Sequence, residues 1–413
     1  WIETPQNLAV DTMFSRNNIR LDAAGSILDF HIGESSIDPD NNLRSRNLSL
    51  KAQTGSIGTS LNPLDTGVNP DGLISASAGT SGQGVYLNGP SGESFNIGSV
   101  TSGDAVSLSS ATRMKIDGAV TGPGAISLVS GGQMTMTEKA DIHATTLGVF
   151  LRAGSLTMED DGVNAARMRV DVGTIDIETV GDALITGIET GNGTESAIRV
   201  VSKAGRILDN GDTRLDIIAD TKPAAKLTLF GALGIGDNPL DVRLLNLLAT
   251  SGGVVDIAVQ NGVNLLGITA GDRVLLTAGG DITGNSVTST GTGGTNPDQS
   301  VSITSATGGV NLASVSGKSD VAVSGQTGVT LDALSSTGGS VAASSAGGDV
   351  GLGSTTAGQN VMFSAPTGSV MADNSTAGGT FTAAAARNVD LGTVTANSVV
   401  LSARDSITAD TLN

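Results

Sequence analysis

One spacing constrains this chain more than any other feature. In its C-terminal half, triplets with an apolar first residue return at a single fixed interval: Val301-Ser302-Ile303, Val321-Ala322-Val323, Val341-Ala342-Ala343, Val361-Met362-Phe363 and Phe381-Thr382-Ala383. Val399-Val400-Leu401 follows after a slightly shorter step, and Val274/Leu276 and Val255/Ile257 extend the series backwards. A second column trails by eight or nine positions: Val263/Leu265, Ile282, Val310/Leu312, Val329/Leu331, Val350/Leu352, Val370/Ala372, Val389/Leu391 and Ile407/Ala409. Within each pair the apolar residues are two apart, which is the strand period with one face in and one face out. Between the columns lie turn formers such as Thr307-Gly308-Gly309 and Ala346-Gly347-Gly348-Asp349.

A unit of about 20 residues is therefore two or three short strands with tight corners, and alone it cannot bury its apolar positions. Stacking the units at the ~4.8 Å strand spacing buries them as continuous columns. The predicted fold is all-β, a right-handed parallel β-helix (solenoid) of about 21 coils and on the order of 100 Å long. Helix is nearly excluded, because no segment holds a helical apolar stripe over three turns. Val321, Val341 and Val361 are expected in one inward column, Val329, Val350 and Val370 in another, and Ser344 outward.

The N-terminal half follows the same rule less regularly, through Val106/Leu108, Ile126/Leu128, Met134/Met136, Val149/Leu151 and Leu156/Met158. Loops are expected near 36–42, 65–71 and 289–299. A longer repeat overlies the short one. Ile19 to Asp29 matches Ile198 to Asp209, and Asn62-Pro63-Leu64-Asp65 matches Asn238-Pro239-Leu240-Asp241. The organisation expected is one continuous rod over 1–413, with approximate super-repeats 19–197 and 198–413. The last residues run in coil phase and neither end resembles a cap, so the chain is expected to be an excerpt of a longer one or a subunit that stacks head to tail.

Composition removes several functions. With 22 basic against 40 acidic residues and a net charge of −18, nucleic acid is not the expected partner. Aromatics make up 2 %, too few to line a sugar or base cleft. Cysteine is absent, which removes disulfides, thiolate metal sites and thiol nucleophiles. No apolar run approaches the ~18 residues of a membrane helix. Trp1-Ile2-Glu3-Thr4-Pro5 has no initiator Met, basic n-region or apolar h-region, so no signal peptide is read within the residues shown. The acidic surface opposes side-by-side pairing of exposed strands.

One ordered series carries a resemblance. It runs Leu48-Ser49-Leu50-Lys51-Ala52-Gln53-Thr54-Gly55-Ser56-Ile57-Gly58, then Asn62-Pro63-Leu64, Gly84-Val85-Tyr86-Leu87, Asn96-Ile97-Gly98-Ser99-Val100 and Asp104-Ala105-Val106-Ser107-Leu108. The series resembles the shaft of filamentous haemagglutinin-like large exoproteins, most sharply over 19–116 with an echo at 198–282. That resemblance implies a Gram-negative surface adhesin exported by two-partner secretion.

Groups able to do chemistry are sparse. His31 and His143 lack companions at triad or metal spacing and read as exposed or corner residues. Asp38/Asp40 and Glu159/Asp160/Asp161 are the candidate carboxylate pairs for a β-helical polysaccharide enzyme, but such a groove also needs sugar-stacking rings, and only Tyr86 and Phe95 fall in one neighbourhood. Asp38, Asp40, Asn41 and Asn42 are hard oxygen donors suited to calcium. Both groups read first as loop residues. Asn47, Asn192 and Asn374 head Asn-x-Ser/Thr triplets, at near-chance frequency. No catalytic, cofactor-binding or metal residue is assigned, and no cofactor is expected.

The expected role is an extracellular or cell-surface shaft serving attachment, not an enzyme. Its partners would be a host or neighbouring-cell surface or identical copies, with no nucleic acid and no spanning segment. The alternatives are a self-assembling fibre or sheath subunit, and a β-helical carbohydrate-processing enzyme or tailspike.

Overall fold

The computed structural model describes residues 1–30, 42–219, 222–291 and 300–413. Among them there is no helix, and strands pair in parallel as a β-solenoid of about 20 turns. The chain divides into two compact units, Trp1–Gly205 with Arg214–Lys222, and Arg206–Thr213 with Pro223–Asn413.

In the first unit each turn carries three strand segments, for example Val106–Ser110, Met114–Ile116 and Ala119–Gly122. One column stacks Leu8, Ile27, Ile57, Val85, Val106, Ile126, Val149, Ile175 and Ile198. A second stacks Leu21, Leu50, Ala76, Val100, Val120, Ile142, Met168, Ile188 and Ile217. A third stacks Phe95, Met114, Met134, Leu156 and Ala183. All but Leu8 are buried. Unbranched Met suits the third column, where it fills uneven space between Phe95 and Ala183. Turn length varies: a short turn leads from Val106 to Ile126 and a long one from Ile27 to Ile57, because corners of different length join the same faces.

The two matching stretches of the longer repeat do not lie on the same face. Ile198 stacks in the column of Ile27, whereas its sequence counterpart Ile19 heads another, Ile19–Leu48–Ile74–Ile97. The two matching stretches share a strand–Gly corner–strand pattern, yet they occupy different faces of the coil. Any face can carry that pattern, so local similarity does not fix phase.

The expected loop near 65–71 is also different. Leu64–Val68 is a strand with Thr66, Gly67 and Val68 buried, and only the following residues turn. Asp and Gly mimic a loop by composition, but Asp65 sits at an outward strand position and its N–H donates to Asn42 Oδ1 at 2.9 Å. Of the other two loops, 36–41 and 292–299 lie outside the described residues.

In the second unit the register is the expected one. Val255, Val274, Val301, Val321, Val341, Val361, Phe381 and Val399 are consecutive partners. So are Val263, Ile282, Val310, Val329, Val350, Val370, Val389 and Ile407. Each turn has a strand of five or six residues, such as Val321–Gly325, and a longer one such as Val329–Ser336. The longer strand bends at Asp332, which register skips, and so supplies two faces. The rings of Phe363 and Phe381 meet edge-on at 5.5 Å, and the space is made by Ala343 and Ala383 on either side of Phe363. On the third face Ile268, Val287, Val315 and Leu334 give way to Thr355 and Ser375, whose buried hydroxyls lack a partner.

Two devices hold the corners. A buried serine ending a strand accepts the N–H of a glycine three residues on: Ser202 from Gly205 at 3.1 Å, Ser305 from Gly308 at 3.1 Å, Ser336 from Gly339 at 2.9 Å and Ser345 from Gly348 at 3.0 Å. An Asp or Asn just before an inward residue accepts the N–H of the residue one turn later. Asp320 takes it from Ser340 at 2.7 Å, Asp349 from Ser369 at 2.7 Å and Asn360 from Thr380 at 2.8 Å. Part of the acidic excess therefore holds corners in place.

Candidate functional site

The carboxylates Glu159/Asp160/Asp161 follow the strand Ser155–Met158. They open a short hairpin closed by an antiparallel bridge between Asp160 and Ala165. Gly162, at φ +85°, supplies the left-handed residue that the reversal needs. Asp160 Oδ1 accepts the Gly162 N–H at 2.5 Å, and Asp161 Oδ1 accepts those of Val163 at 2.7 Å and Asn164 at 2.6 Å. Those backbone donors hold the Asp161 carboxyl below its ordinary range. From a distant point in the sequence, Arg214 reaches Asp160 Oδ2 at 3.0 Å and the Gly162 carbonyl. The carboxylates thus brace a projection whose tip residue, Val163, is 80 % exposed.

Beneath the hairpin lies a cavity of about 420 Å³ lined by Arg167, Arg169, Ile188, Glu189, Leu215 and Ile218, among others. Arg169 donates to both oxygens of Asp141, at 3.1 and 2.8 Å, and these bonds push its guanidinium pKa up. His143 occupies an outward mid-strand position, not a corner, with Nε2 2.9 Å from Asp171 Oδ1.

A second polar cluster crosses three turns on another face. Asp176 sits between Arg152 at 2.7 Å and Arg199 at 2.8 Å, and Glu178 is paired with Lys203. Burial raises the Asp176 pKa, but hydrogen bonds from Arg152 and Arg199 outweigh it and leave the carboxyl below its ordinary range. An acidic row between basic rows turns what would be a stack of like charges into attraction. In the stack Arg152 lies one turn before Asp176 and Arg199 one turn after it, a relation that the sequence does not give while the turn lengths are unknown.

The remaining candidates are not brought together. Phe95 is 1 % exposed in the core and unavailable for sugar stacking. Tyr86 is partly buried, which raises its pKa. Asn42 spends its amide on the Asp11 carbonyl at 3.0 Å and Asp29 Oδ1 at 2.9 Å, while its oxygen accepts from Asp65. His31, Asp38, Asp40 and Asn41, which include the other expected calcium donors, lie outside the described residues. Among the described residues, no three acidic or His side chains are grouped to hold a metal. Asn47 bonds Asn18 and the Leu73 N–H, and Asn192 is buried, so both amides are engaged within the stack; Asn374 is exposed. No described helix is long and apolar enough to cross a membrane.

No protein-family model, curated protein or solved structure matches this chain.

Proposed function

We propose that the chain is a length of extracellular shaft from a large bacterial surface protein of the filamentous haemagglutinin-like kind, carrying attachment elements away from the cell. The observation behind this reading is the continuous parallel stacking of strands inside each unit. In a parallel stack the strand-to-strand hydrogen bonds run along the stacking direction. Tension along the stack is therefore shared by a whole turn at once. Between the turns beginning at Val321 and Val341, five residue pairs on one strand and seven on the next would have to part together. Columns of fully buried Val, Ile and Leu resist bending for the same reason that close-packed interiors resist compression. The braced hairpin at Asp160–Ala165 is the kind of rigid lateral element such a shaft can display. In this reading the chain is a structural element rather than an enzyme, located outside the cell, with a cell surface or identical copies as partners.

Immunogold labelling of intact producing cells, combined with a glycan-cleavage screen of the purified chain, tests the proposal. Label standing off the envelope and no cleavage is the expected result. Label confined to the cell interior overturns it. Cleavage products would favour a polysaccharide enzyme, and native filaments joined end to end from single chains would favour a self-assembling fibre.

A further inference from the structure

The cavity under the Asp160–Ala165 hairpin has the size of a small-ligand site. It is built by stacking. The strands Arg167–Val170, Ile188–Thr190 and Ile217–Ala219 place Arg169, Glu189 and Ile218 in one outward column. Gly187 adds no side chain beside them, so the aliphatic stem of Arg167 lies over it, 3.5 Å from where a Cβ would be. Half-buried Leu215 and Ile218, with the exposed Val163 overhanging, make an apolar wall.

The charges here are unequal in their commitments. Arg169 is spent on Asp141, and Arg214 on Asp160 and the Gly162 carbonyl. Asp141 lies in register with Arg167 but is turned to Arg169. Arg167 is exposed and has no ion-pair partner among the described residues. Arg167 therefore brings an uncommitted guanidinium to a cavity that also has an apolar wall. Arginine is the side chain best matched to a planar carboxylate, which it holds through two parallel N–H donors.

We propose that this cavity binds a small amphipathic monocarboxylate, its carboxylate on Arg167 and its hydrocarbon body against Leu215, Ile218 and Val163. Glu189, on the neighbouring strand and also lining the cavity, repels a second negative charge and so disfavours dicarboxylates and phosphates. The site stands on the cavity alone and does not depend on the shaft reading.

Calorimetric titration of the intact chain with 4-phenylbutanoate, alongside its neutral amide, is the test. The expected result is saturable one-to-one binding of the carboxylate and at least tenfold weaker binding of the amide. Arg167→Gln should weaken the carboxylate at least tenfold while leaving circular dichroism and the thermal midpoint unchanged, since Arg167 is exposed. Leu215→Ser should weaken both ligands. Absence of saturable binding, equal affinity for carboxylate and amide, or an unchanged affinity in Arg167→Gln would each overturn the proposal.

Discussion

Substituting aspartate at two positions three residues apart tests the register of the stack. Val341 is fully buried and stands between Val321 and Val361 in adjacent turns. Val341→Ala removes two carbons, about 1.6 kcal/mol of transfer energy, and the cavity it leaves brings the cost to about 2–3 kcal/mol. Val341→Asp loses the same packing and buries a carboxylate with no cationic partner in its column, so a cost of about 4 kcal/mol or more is expected. Ser344 belongs to the same strand but is an outward position, flanked by Ser324 and Ser364. With no acidic neighbour in register, Ser344→Asp should stay within about 0.5 kcal/mol of the parent. A stacked array can open locally, so one global midpoint is insufficient. Urea titration by circular dichroism should be paired with hydrogen exchange on peptides covering 321–365. Faster exchange in Val341→Asp, centred on its turn and the two beside it, is the expected pattern. Equal destabilisation by the two aspartates, or a neutral Val341→Asp, would refute the inward assignment.

Other expectations follow from single sites. Thr355→Val replaces a buried, unpartnered hydroxyl by an isosteric methyl and should raise stability by about 1 kcal/mol in the same urea titration. Ser345→Ala removes the acceptor for the Gly348 N–H and should cost about 1 kcal/mol, seen as faster exchange at that corner; Ala365 shows that a turn without this serine still folds. Asp176 has a carboxyl pKa below its unfolded value, so its contribution is present above the unfolded pKa and lost as pH falls through the folded one. The thermal midpoint of the parent should therefore exceed that of Asp176→Asn at neutral pH, and the gap should close on acidification below the ordinary carboxylate range.

The columns were legible because two periods coincide in them. Val321 and Val323 alternate as a strand does, and the same pattern returns one turn later at Val341 and Ala343. Features made by neighbours from different turns were not legible in the same way. Asp176 meets Arg152 and Arg199 only once the turn lengths between them are known, and those lengths are irregular in the first unit. Arg214 clamps a hairpin that lies far from it in the sequence. Asp160 and Asp161 therefore read as loop carboxylates in the sequence and as turn braces in the structure. The serines gain meaning from the Ser-x-x-Gly corner they close. Ile19 and Ile198 show the opposite failure, in which close local similarity hides a change of face.

The central claim is that successive turns stack in register, and distances between spin labels measure it directly. Thr304, Ser324, Ser344, Ser364, Ala384 and Ser402 are consecutive outward partners, and the chain has no native cysteine to interfere with labelling. Paired cysteines labelled with nitroxides at 304/364 and 304/402 should lie about 14 and 24 Å apart, growing by ~4.8 Å for each turn regardless of the residues between. Separations that follow sequence distance instead, or that fail to grow linearly with the number of turns, would contradict the stacked solenoid.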